Sequence, residues 1–211
     1  SAASDVYKRQ LLADAVSTPY AAVVHTAQVH MGNTVAVWGV GGVGAHLVQL
    51  SKLAGAVPVI AVDLNDAVLE RAKRLGADYA FRSDDPDLMK KIEDITDGRM
   101  VDIAFDAVGI QPTLRACVES LDINGKAVSI GLSPQNIDAG TFLEFNLKKK
   151  QLLGHLGYKR QDIARLADML SYGRLDITES ISKIIPLTDI KQGIDDLENH
   201  RGNPIRILVK P

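Results

Sequence analysis

The residues best placed to do chemistry are the six from Gly39 to Gly44. Gly39, Val40, Gly41, Gly42, Val43 and Gly44 spell G-x-G-x-x-G, directly after the apolar run Thr34–Gly39 and directly before a stretch with Val43, Leu47, Leu50 and Ala54 at helical spacing. Gly39 permits a tight turn, Gly41 lets backbone approach a pyrophosphate with no side chain in the way, and Gly44 lets the helix lie close to the sheet. The amide groups and the positive end of that helix then face the phosphates. Asp63 ends the second apolar run, twenty-four positions beyond Gly39. A carboxylate there accepts hydrogen bonds from the adenosine ribose and repels a 2′-phosphate. No arginine occurs in the following Leu64-Asn65-Asp66, so the expected ligand is NAD rather than NADP, with Leu64 beside the ribose clamp.

Other readings of these residues make different demands. The glycines could form only a tight turn, with Asp63 capping the next helix. A methyltransferase also places an acid after its second strand, but its loop usually lacks the third glycine at this spacing. A short-chain dehydrogenase needs Tyr-x-x-x-Lys, and none of Tyr7, Tyr20, Tyr79, Tyr158 or Tyr172 has lysine four residues on. An NAD-binding module without chemistry stays open.

The elements that must hold the loop follow from the punctuation of the chain. Apolar runs at 34–39, 57–62, 79–81, 101–106, 126–130 and 152–156 predict strands, and helical spacing or caps predict helices at 43–54, 66–75, 87–95 and 113–121. Short buried strands alternating with helices imply right-handed βαβ units, hence an α/β, doubly wound parallel sheet of the Rossmann type. After Leu156 the rhythm changes to helix 162–171, strand 183–186, helix 188–200 and strand 205–209, too few elements for a domain of their own. They either extend the sheet or belong to a second domain. Residues 1–10 show no pattern and are expected to be an unnatural start, with the parent product beginning further upstream.

Composition narrows the class. Hydrophobic residues at 46% and charged residues at 24% supply a globular core, and a net charge of -2 gives no reason to expect nucleic acid or an acidic membrane as partner. No apolar run is long enough for a membrane span. The single cysteine, Cys117, excludes an internal disulfide framework and a four-cysteine zinc site within this chain, so a cytoplasmic setting is expected. Cys117 reads as core, and Lys148–Lys150 as a solvated loop.

Several further segments together resemble the medium-chain dehydrogenase/reductase superfamily, and within it the zinc-dependent alcohol dehydrogenases. They are Asp14-Ala15-Val16-Ser17-Thr18-Pro19-Tyr20, Gly32-Asn33-Thr34-Val35, the glycine loop, Ala61-Val62-Asp63, Leu75-Gly76-Ala77-Asp78, Asp106-Ala107-Val108-Gly109, Gly125-Lys126, Ile130-Gly131, Arg201-Gly202 and Ile205–Leu208. The resemblance implies a cofactor domain at 11–155, and at 156–211 the C-terminal remnant of a catalytic domain whose remainder lies upstream. It implies an enzyme that passes hydride between an alcohol or polyol (or the matching carbonyl) and NAD. Thr18 then sits beside the nicotinamide as the catalytic-site residue. Ala107, Val108 and Gly109, with Ile130, Gly131 and Leu132, hold the adenine side and the carboxamide through strand-end backbone. His155 lies where the chain passes the nicotinamide, and Arg206 reaches the pyrophosphate. It also implies a homodimer or homotetramer, paired through an edge strand near Gln151–Leu156. A zinc-independent quinone or enoyl reductase is the alternative within the superfamily, although such enzymes generally favour NADPH.

The resemblance places one catalytic zinc ligand in this chain, at Asp14. The family commonly has cysteine there, and aspartate oxygen is also a competent ligand. The competing reading makes Asp14 the N-cap of a helix around Thr18–Val29. With the other ligands upstream, the chain alone is expected to bind NAD without turnover. His25, His30 and His46 have no ligand partner at helical spacing and read as packing or surface residues.

Overall fold

In the computed structural model the described residues are 10–199, 201, 202 and 204–210. Nearly all of the expected patternless tail, and His200 at the expected end of the last helix, lie outside them. The chain divides into two compact units, one formed by 18–157 and the other by the residues up to Ser17 together with those from Tyr158 onward.

The larger unit is a six-stranded sheet in the order β3-β2-β1-β4-β5-β6, with every neighbouring pair parallel. Its strands are β1 (Val35–Trp38), β2 (Val59–Asp63), β3 (Tyr79–Arg82), β4 (Val101–Asp106), β5 (Leu121–Ser129) and β6 (Gln151–Gly154). Between them lie α2 (Gly44–Leu53), α3 (Asp66–Arg74), α4 (Leu88–Ile95), α5 (Gln111–Glu119) and α6 (Phe142–Leu147). The short helix α1 (Ser17–Ala21) and the π-helical segment Ala22–Ala27 precede β1. This is the expected doubly wound order, whose direction reverses between β1 and β4.

The central strands are buried along almost their whole length, as a sheet covered on both faces requires. On one face Trp38, Ile60, Val62 and Ala104 pack against Leu88 and Ile92 of α4 and Cys117 and Val118 of α5. Cys117 is fully buried, and desolvation, with the charge of Asp106 a smaller cause, holds its thiol well above its ordinary pKa. Its thiolate is therefore suppressed. Native protein is expected to leave Cys117 unlabelled by a thiol reagent over minutes, whereas denatured protein takes up one equivalent; rapid native labelling would show that α5 opens locally.

Beyond shifts of one or two residues at other element ends, two details differ from the sequence expectation. Strand β5 begins at Leu121, five positions before the expected Lys126, because Asp122–Gly125 continue it past an irregular register against Val101 and Ile103. Helix α6 was not anticipated; Thr141 caps it by accepting the Glu144 N–H at 3.3 Å.

The smaller unit carries a kinked helical segment at Leu12–Val16, broken at Ala13 and Asp14, together with α7 (Arg160–Ser171), β7 (Lys183–Pro186), α8 (Ile190–Glu198) and β8 (Ile207–Lys210). β7 and β8 pair with each other in parallel and form their own two-stranded sheet. Of the two sequence readings of this tail, it therefore does not extend the large sheet.

Candidate coenzyme site

The parallel register aligns the carboxyl ends of the strands. Trp38 stands opposite Val62 and Asp106, Asp106 opposite Ser129, and Ser129 opposite Gly154. The loops that follow these ends carry most of the candidate residues, along the edge where ligands bind in open α/β sheets.

The glycine turn leaves β1 at Gly39, where φ is +81°. At Gly44 a Cβ would lie 1.8 Å from the Gly39 carbonyl oxygen, so α2 can start against the turn only without a side chain there. At Gly41 a Cβ would meet nothing within 4 Å, leaving open space over the loop. No side chain caps α2. An uncapped helix start behind a glycine turn is an anion cradle.

Asp63 is tied to this turn. Its Oδ2 accepts the Val40 N–H at 2.8 Å and its Oδ1 accepts the Asn65 N–H at 3.0 Å. Asn65 caps α3 by accepting the Ala67 N–H. Sequence reasoning looked for a cation only in the three positions after Asp63, and two arginines further along α3 and β3 escaped it. Arg71 donates from Nη2 to the Val40 carbonyl at 3.3 Å. Arg82 stands in register with Asp63 but is held by Asp66 at 3.0 Å and Asp84 at 2.8 Å.

The β4 and β5 loops meet in the middle of the edge. Asp106 organises them, although sequence reasoning gave it no role. Its Oδ1 accepts the Val108 and Gly109 N–H groups and the Thr113 hydroxyl, and its carbonyl accepts the Ile130 and Gly131 N–H groups. The side chain is 1% exposed. At Gly131 a Cβ would lie 2.1 Å from the Gly109 nitrogen, so the two backbones are in direct contact. Val108 abuts Gly39, joining this crossing to the glycine turn. A cleft of about 420 Å³ opens beside it, lined among others by Asp106, Gly109, Ser129, Gly131, Leu153 and His155. Leu64 and Leu132 are exposed at 60% and 79%, apolar surface of the kind a planar ring system covers.

His155 follows β6, where its N–H donates to the Ser129 carbonyl at 2.9 Å. Burial is the largest cause holding its imidazole below the ordinary pKa, against the raising effect of the Thr18 and Gly157 backbone; His25 adds to the lowering. Thr18 itself is buried at the start of this unit.

The structure thus brings Thr18, the glycine turn, Asp63, Leu64, Ala107–Gly109, Ile130–Leu132 and His155 into one compact unit. Asp14 and Arg206 belong to the other. Arg206 is half-buried; burial lowers its pKa and the charge of Asp14 raises it. Asp14 lies with Ala13 in a break between helical stretches, outside helical φ/ψ, and its N–H donates to Ser17 Oγ at 2.9 Å. Its φ of +67° is costly for a residue with a side chain, by about 1–3 kcal/mol. Among the described residues, no three His, Cys, Asp or Glu side chains are grouped to hold a metal ion. His46 is buried, His30 is exposed, and His25 makes an edge contact with Tyr20.

A doubly wound sheet with a glycine turn at its switch point and an acid on the adjacent strand end defines a dinucleotide-binding type of domain. The family model described as zinc-binding dehydrogenase matches residues 42–172, more than half of the chain, and the chain belongs to that family. It is 35% identical to the probable S-(hydroxymethyl)glutathione dehydrogenase 1 of Schizosaccharomyces pombe, over 94% of this chain and 53% of that protein. It is 28% identical to the D-arabitol-phosphate dehydrogenase of Enterococcus avium, over 93% of this chain and 56% of that protein. Among solved structures, 2R,3R-butanediol dehydrogenase from Bacillus subtilis superposes with a TM-score of 0.85 at 26% identity, over 95% of this chain and 56% of that one. The alcohol dehydrogenase TADH from Thermus sp. ATN1, at 23% identity and TM-score 0.88 over 96% and 58%, shares the fold. The chain therefore spans about half the length of the curated relatives it matches.

Proposed function

We propose that this chain is the coenzyme-binding part of a zinc-assisted alcohol or polyol dehydrogenase that uses NAD. The observation that carries the reading is the glycine turn running into an uncapped helix, braced through Val40 by Asp63 on the neighbouring strand. Open space above Gly41 and an acid where the adenosine ribose would lie fit a dinucleotide without a 2′-phosphate.

In this reading Gly39–Gly44 hold the pyrophosphate, Asp63 accepts from the ribose, and Leu64 and Val108 flank the adenine. Ala107, Gly109 and Ile130–Leu132 offer backbone groups to the coenzyme, Thr18 and His155 mark the nicotinamide end, and Arg206 pairs with phosphate oxygens as a planar guanidinium can. When bound, NAD would supply the hydride acceptor and zinc a Lewis acid for the alcohol oxygen. Asp14 would supply one metal ligand; its carboxylate is exposed and its backbone is held in an uncommon conformation. A catalytic zinc needs three protein ligands, so the 211 residues alone should bind coenzyme without turnover. Residues 156–211 belong to the catalytic domain in this reading. The edge strand β6 offers a second copy a pairing surface, the protein works in the cytoplasm, and its substrate is a small alcohol or carbonyl compound. The structure has no helix long and apolar enough to cross a membrane among the described residues.

Titration calorimetry tests the proposal. Heat with NAD+, at least about tenfold weaker binding of NADP+, and none with S-adenosylmethionine is the expected pattern, tenfold being about 1.4 kcal/mol of discrimination. No binding of NAD+ would overturn it, and tighter binding of NADPH would transfer the chain to the zinc-independent reductases.

A further inference from the structure

His155 has both ring nitrogens engaged across long sequence distances. Nε2 lies 3.1 Å from the Thr18 carbonyl oxygen, and Nδ1 lies 2.8 Å from Thr26 Oγ1. A carbonyl can only accept, so Nε2 carries the proton. Burial keeps the ring neutral near pH 7, which leaves Nδ1 bare and makes the Thr26 hydroxyl its donor. Thr18 lies in α1 and Thr26 in the following π-helical segment, so one side chain grips two points eight positions apart along the helical stretch. The main-chain bond from His155 to Ser129 fastens the same residue to β5.

We infer that His155 is a positioning residue that fixes Thr18, assigned above to the nicotinamide end of the coenzyme site, by bolting the end of β6 to the helical segment bearing Thr18 and Thr26. Its ring acts on the protein and does not itself need to touch the coenzyme. The inference rests on the NAD reading above and adds to it a consequence confined to one half of the ligand. Without the bolt, the helical turn at Thr18 loosens while the glycine turn and Asp63, on other strand ends, stay as they are.

Calorimetry with NAD+ and with ADP-ribose, which lacks the nicotinamide ring, separates the halves. His155→Ala should weaken NAD+ about tenfold while ADP-ribose stays within about twofold, the scale of one or two lost hydrogen bonds. His155→Gln, whose amide can still donate to the Thr18 carbonyl, should recover most of the loss. Equal losses for both ligands, or no loss for either, would overturn the inference. If the unsubstituted chain binds neither ligand, the coenzyme reading fails. The histidine is then judged by its nitrogen NMR spectrum: an Nε2–H tautomer whose unprotonated Nδ1 loses its hydrogen bond on Thr26→Val supports the bolt, and an Nδ1–H tautomer refutes it.

Discussion

Gly44→Ala is expected to damage both the fold and coenzyme binding, and Gly41→Ala only the binding. At Gly44 the new methyl would sit 1.8 Å from the Gly39 carbonyl oxygen and 2.8 Å from its carbon. Both are backbone atoms of the turn itself, so no side chain can rotate away. The helix must withdraw or the turn must open, and forced overpacking of this kind costs about 3 kcal/mol or more. Either movement also takes the first amides of α2 away from the phosphate position, so NAD+ affinity should fall about a hundredfold or more, equivalent to roughly 2.7 kcal/mol. Gly41 is the matched control because its methyl would enter open space. Its melting temperature should stay within a degree or two, since nothing in the protein is displaced, yet the methyl would occupy the volume assigned to pyrophosphate and weaken NAD+ comparably. If the loop cradles phosphate, thermal melts separate the two variants while calorimetry shows both weakened. Unimpaired NAD+ binding by Gly41→Ala would mean that the glycines serve only the turn.

The part of this site that the sequence made legible is local. The glycine spacing, the apolar runs on either side and the acid ending the second run are all set by near-neighbour geometry; β4 falls on Val101–Asp106 as expected. Helix α6 was legible in principle, because Thr141-Phe142-Leu143-Glu144 has the S/T-x-x-E form of a helix start. Three of its apolar residues, Phe142, Leu143 and Leu147, are exposed, however, and Phe145 alone packs on the core, so no core-facing stripe marks it. The rest is long-range. Thr18 and Thr26 lie more than a hundred positions from His155, and Arg71 lies thirty-one from Val40. Only the right-handed winding of the sheet brings such pairs together, and one sequence without a fold cannot name them. Asp106 escaped for another reason. An aspartate at a strand end reads as a ligand or a cap, and its service to two crossing loops depends on the register of β4 against β5.

The second large effect is expected at Asp63, through charge as well as shape. Asp63→Asn keeps the size of the side chain, but one end of the amide now presents N–H groups to a backbone N–H. Either Val40 or Asn65 loses its acceptor. The brace on the glycine turn weakens, and NAD+ affinity should drop about tenfold, the loss of a charge-assisted hydrogen bond being worth about 1.5–3 kcal/mol. The opposite is expected for NADP+. Removing the carboxylate removes the repulsion of a 2′-phosphate, and it leaves two cations beside it, Arg71 at the Val40 carbonyl and Arg82 in register on β3. Arg71 reaches the glycine turn itself, at the Val40 carbonyl, and should supply most of the attraction. NADP+ binding should therefore hold or improve while NAD+ binding falls, moving the preference ratio by about tenfold to a hundredfold, or about 1.4–2.7 kcal/mol. The gain for NADP+ should shrink as salt is raised, because the groups involved lie near the surface. Adding Arg71→Met to Asp63→Asn should cancel that gain without restoring NAD+. A preference ratio unmoved by Asp63→Asn would show that the acid serves only the turn, and the ribose clamp would have to be sought elsewhere on the sheet edge.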